Sequence, residues 1–203
     1  MEDNSNNRSQ YLSAQQQYVK WWPIVLGPVA MILVYSMKMI GWQDIVSRGS
    51  NEKIALVLVG ICVAGFGVQA IKFRTEFHLF MLVLCAIFFC REWHFAGTSK
   101  GVYIALTILA LWVVKRKDKL ESIMDSRLKI WMWSTFGTYL LSQLIARRVF
   151  KYLCLPAEDQ LHIFFEETVE TTAHIMMIAT CFIAFMTMRK MLSFVEIGSC
   201  PKS

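Results

Sequence analysis

Between Trp21 and Lys190 the chain is a succession of apolar runs, most of them about 17–22 residues long, separated by short charged stretches. A run of roughly 20 apolar residues crosses the ~30 Å hydrocarbon layer of a bilayer as an α-helix. Only helices and closed barrels can cross, because lipid offers no partner to an exposed peptide group. Barrel strands alternate apolar and polar at every second residue, and these runs do not alternate. The pattern therefore predicts six helical spans, over residues 22–41, 53–72, 76–95, 100–115, 128–147 and 166–188.

The punctuation adds detail. The first span opens on Trp21 and Trp22 and carries Pro23 and Pro28 near its start. The second contains Gly60, Ala64 and Gly65, small residues that permit close helix packing. The fifth opens on Trp131 and Trp133 and closes on Arg147 and Arg148. Residues 159–165 read as a separate interfacial turn ahead of the sixth span, which ends at Arg189 and Lys190. The expected fold class is an all-α integral membrane protein, a bundle of six transmembrane helices with no soluble domain. Residues 1–20 form a polar tail, 21–190 the membrane domain and 191–203 a second tail.

Composition agrees. Of 203 residues, 56% are hydrophobic and 18% charged, against about 45–50% apolar in a typical soluble domain. The six cysteines (Cys62, Cys85, Cys90, Cys154, Cys181, Cys200) show no CxxC spacing and no zinc-like Cys/His cluster. The net charge of +6 suits basic cytoplasmic loops and calls for no nucleic-acid partner. With the amino terminus inside, 13 lysines and arginines fall on the inner side and 7 on the outer. This asymmetry places both termini in the cytoplasm, with the chain in a plasma or inner membrane. Lys115, Arg116, Lys117 and Lys119, after the fourth span, are expected to meet anionic lipid headgroups.

The same topology gathers the polar chemistry on the outer side. Arg91, Glu92 and His94 end the third span, Gln143 and Arg147 end the fifth, and Glu166, Glu167, Glu170 and His174 begin the sixth. At ~100° per residue the last four share an arc of about 100° on one helix face. Glu170 precedes Arg189 by 19 residues, or about 28 Å at ~1.5 Å per residue, which sets it at or just below the outer interface.

These groups are expected to form one network that fixes the bundle and binds a partner or lipid headgroup. Glu170 can pair with Arg91 or Arg147. Two other chemistries fit the same side chains. Glu170 and His174, spaced i, i+4, can chelate a divalent cation with His94 or Glu92 as a third ligand, and a metal-bound water would then make a membrane hydrolase. Alternatively, Glu170 and His174 can load and release protons in a small transporter. His78 and His162 are expected to be solvated at opposite interfaces. No Gly-rich phosphate loop, GxSxG elbow or HExxH motif occurs in the chain.

Overall fold

The computed structural model describes residues 21–40, 48–93, 98–121, 123–149 and 158–198. Every element among them is helical. A 3-10 turn, Trp22–Val25, leads into α1 (Leu26–Met39). It is followed by α2 (Arg48–Phe73), α3 (Glu76–Glu92), α4 (Thr98–Lys115), α5 (Lys117–Glu121), α6 (Ser126–Ala146) and α7 (Glu158–Gly198).

Local chemistry sets several boundaries. Arg74 takes a left-handed φ of 51°, which ends α2 and turns the chain back within two residues. Thr75 Oγ1 then accepts from His78 N–H and caps α3. Asp125 caps α6 by accepting from Leu128 N–H at 2.7 Å. In each case a side-chain oxygen satisfies one of the orphan donors of a helix start.

α7 is the hub, packed against α6, α2 and α1. Its register with α2 is parallel: Cys62 meets His174, Gln69 meets Cys181 and Phe73 meets Phe185. The Cβ position of Gly65 lies 2.8 Å from Cys181 Sγ, so the two helices approach closely at this glycine. Gly60 faces Phe89 of α3 instead, and Ala64 points away from the core. With α6 the register is antiparallel, through Thr135–Thr180, Thr138–Met176 and Tyr139–His174. Trp22 packs edge-on against Trp131, centroids 5.2 Å apart, and joins the starts of α1 and α6.

The sequence reading holds for helical class and for the approximate ends of α1–α4 and α6, but several particulars differ. Residues 159–165 are the first turns of a single 41-residue helix, α7, and form no separate turn. The basic run after the fourth span contains the short helix α5. Two stretches are long and apolar enough to cross a bilayer, Lys53–Phe73 and Ile163–Ser193, while Trp22–Met37 and Gly101–Lys115 are apolar but shorter. The expected set of six spans is therefore reduced to an all-helical bundle with two such helices among the described residues. α3, with 17 residues, holds a glutamate at each end and Arg91 near its close, and α6 carries a run of hydroxyl residues.

The interior is mixed. Phe66, Phe77, Met81, Leu128 and Met177 are fully buried, and Thr135, Thr138, Ser142, Thr180 and Gln69 are buried among them. The outer faces are apolar: Val57, Ile61, Val68 and Ile71 of α2 are exposed, as are Ile104, Ile108, Leu111 and Val114 of α4.

Candidate functional site

The carboxyl end of α3 and the first half of α7 meet at Arg91 and Glu170. Arg91 Nη2 donates to Glu170 Oε2 at 3.1 Å, and Nη1 lies 2.7 Å from Oε1 as an ion-pair contact outside hydrogen-bond alignment. The Glu170 side chain is only 11% exposed and that of Arg91 27%. A carboxylate this deep needs such a partner, because removing its water is costly. The helical arc explains the placement. Glu166 and Glu167 are half-buried, Glu170 is buried one turn further on, and His174 one turn beyond that is fully buried.

The two nitrogens of the His174 ring differ in their surroundings. Its Nδ1 lies 2.5 Å from the Tyr139 hydroxyl of α6, and Nε2 has no hydrogen-bond partner. Tyr139 is itself stacked on Phe88 of α3, centroids 4.5 Å apart and planes 22° from parallel. With the proton on Nδ1 donated to Tyr139, Nε2 presents a lone pair. With the proton on Nε2, that N–H is a buried donor without an acceptor. Either way, one nitrogen of a fully buried imidazole has an unmet valence for hydrogen bonding.

Glu92, Glu170 and His174 each offer one ligand atom, and these three atoms lie within 4.8 Å of one another. Two carboxylate oxygens and an imidazole nitrogen suit a borderline divalent cation such as Zn²⁺ or Mn²⁺. The residues fit such an ion in one further respect. Metal-bound histidines usually donate their second ring N–H to an acceptor, and Tyr139 stands at that position for Nδ1. Arg91 competes with any ion for Glu170.

Of the residues singled out from the sequence, Arg91, Glu92, Glu170 and His174 converge. Arg147 lies elsewhere: it follows α6 as its terminal cap and donates to Tyr103 Oη of α4 at 3.0 Å. Gln143 is half-buried, with Nε2 lacking a hydrogen-bond partner. His94 lies outside the described residues, and so does the side chain of His162. His78 is a correction. It is fully buried beside Phe73 and Phe77, with Nδ1 2.5 Å from Thr75 Oγ1, because the capped start of α3 turns this position inward. Tyr139 was missing from the sequence reading. Its signal was a tyrosine within an apolar span, four residues before Gln143 and thus on the same helix face.

At the other end of the bundle, Glu76 receives Lys119 at 3.1 Å and Arg116 at 3.3 Å, two of the four basic residues expected to meet lipid headgroups. Lys72 and Arg189 lie over the ring of Phe185. The four described cysteines, Cys62, Cys85, Cys90 and Cys181, are free thiols. Comparison with family models, curated proteins and solved structures finds no match to this chain.

Proposed function

We propose that this chain is an integral membrane protein of six spanning helices with both termini cytoplasmic, and that its outer polar network locks α7 to α3 and α6. The lock holds a rigid face on which a partner or lipid headgroup docks. The observation that carries the reading is the Arg91–Glu170 pair, which joins helices 79 positions apart by two contacts at a depth where neither charge is freely hydrated. The exposed apolar backs of α2 and α4, beside the buried Gln69, Thr135, Thr138, Ser142 and Thr180 of the interior, support a lipid surround. Thr135–Thr180 and Gln69–Cys181 are the interhelical polar contacts expected where apolar packing alone does not drive association.

A double-substitution cycle tests the lock. Arg91→Ala and Glu170→Ala are each expected to destabilise the detergent-solubilised protein by about 2–4 kcal/mol, since each strands a charge. Together they should cost clearly less than their sum. Strictly additive losses in thermal unfolding would remove the pair from this role.

A second reading has one observation in its favour, the convergence of Glu92, Glu170 and His174 within 4.8 Å. In it, these three residues hold a divalent cation, and a bound water would be the reactive group of a hydrolase. Metal analysis of the purified protein separates the two readings. Stoichiometric Zn²⁺ or Mn²⁺ that is lost in His174→Ala favours the cation site, and none in either protein excludes it. The proton-coupled transporter gains no comparable support.

A further inference from the structure

A cavity of about 590 Å³ lies between α3, α4 and α6, at the end of the bundle opposite the Arg91–Glu170 pair. Phe77, Phe80 and Leu84 of α3 form its floor. Leu106, Leu109 and Val113 make one wall, and Met132, Trp133 and Phe136 the other. Its volume is within the range of about 300–1,000 Å³ typical of ligand sites. The α4 lining from Leu106 to Val114 covers eight helical steps, or about 12 Å at ~1.5 Å per residue, so the space is a slot.

Its chemistry is uneven along that length. The walls are hydrocarbon and aromatic, and charge appears only at the α5 end, where Lys117, Glu121 and Lys129 line the cavity. Two cations against one anion leave that mouth positive. The neighbouring Arg116 and Lys119 are turned to Glu76, so they do not supply this charge. An apolar slot with a cationic mouth is complementary to a molecule with a hydrocarbon tail and an anionic head.

We propose that this slot holds one acyl chain of an anionic phospholipid from the inner leaflet, with the phosphate at Lys117 and Lys129. The proposal rests on the membrane reading above and deepens its lipid-binding part. Of the four elements that line the slot, α3 packs on α4 and α5 and reaches α6 through the Phe88–Tyr139 stack, so an inserted chain bridges α4 to α6 and completes packing that the side chains leave open.

The test uses the full chain in detergent micelles and native mass spectrometry, with phosphatidylglycerol and phosphatidylcholine of identical acyl chains. One phosphatidylglycerol is expected to stay bound under conditions that strip phosphatidylcholine. The paired substitution K117E/K129E should abolish that preference, each lysine accounting for about fivefold. Ala110→Trp, which fills the slot from an exposed position of α4, should reduce retention of both lipids with helical content unchanged. Equal retention of the two lipids, an unaltered preference in K117E/K129E, or a lipid-free dimer mass would overturn the proposal. Carbonate extraction of the wild-type protein separates the two levels. Release from the membrane overturns the membrane reading, whereas resistance without headgroup preference overturns the lipid site alone.

Discussion

The Cβ position of Gly65 lies 2.8 Å from Cys181 Sγ, and that sulfur is held in turn by Gln69 Nε2 at 2.9 Å. A methyl group at position 65 would have to push aside an atom that is already engaged. Replacing a mid-helix glycine by alanine gains about 1 kcal/mol of helix propensity, but overpacking a tight contact costs about 1–3 kcal/mol. Gly65→Ala is therefore expected to be net destabilising. Adding Cys181→Ala removes the sulfur and leaves the Gln69 Nε2 bond to the Cys181 carbonyl, 3.1 Å, in place. The double variant should then melt above Gly65→Ala. A melting temperature that is lower still would show that α2 and α7 are not spaced by this contact.

Tyr139→Phe isolates a different contact. Phenylalanine keeps the stack on Phe88 and deletes only the hydroxyl beside His174 Nδ1. Neither imidazole nitrogen then has a partner, and a buried unsatisfied group costs about 1–3 kcal/mol. Thermal unfolding in detergent should register that loss. In His174→Leu the same tyrosine substitution should cost much less, because the group being stranded is gone. Equal costs in the two backgrounds would refute the pairing.

Zn²⁺ titration addresses the cation reading by stability. An ion that binds only the folded state at 100 times its dissociation constant adds about 2.7 kcal/mol. The wild-type protein should melt higher in Zn²⁺, and Glu92→Gln and His174→Ala should show no rise. Arg91→Ala should increase the shift, since the guanidinium competes for Glu170. If Zn²⁺ leaves all four melting curves unmoved, Glu92, Glu170 and His174 serve packing and charge pairing only.

Glu76 provides the contrast with Glu170. Its partners Arg116 and Lys119 are 41% and 62% exposed in their side chains, so water screens the pairs. Glu76→Gln is expected to change stability by under about 1 kcal/mol, and by less in high salt. A loss as large as that for Glu170→Ala would mean that the α3–α5 junction is far less hydrated than its exposure indicates.

Much of this arrangement was legible from residue order. Period and run length mark six of the helices, and helical arithmetic puts Glu166, Glu167, Glu170 and His174 on one face. The graded burial from Glu166 to His174 follows from that face entering the bundle. What failed has a common cause. His78 looks solvated in a linear reading, since it flanks an apolar run, yet it is enclosed by Phe73 and Phe77 once the Thr75 cap turns α3. Glu170 had two equally placed arginines, and spacing within one helix cannot choose between partners on two others. Residues 159–165 look too polar to begin a span, but their helical hydrogen bonds continue those of α7 without a break.

The sequence by itself determined the helical class, the approximate ends of α1–α4 and α6, and the sharing of one face by the acidic residues and His174. These depend on periodicity and propensity, which act over a few residues. Only the tertiary structure decided that Arg91 and not Arg147 meets Glu170, that Tyr139 orients His174, and that α3, α4 and α6 enclose a slot. These depend on how helices far apart in the chain are registered against each other. Contacts such as Gly65 against Cys181 set that register, and no local pattern encodes them.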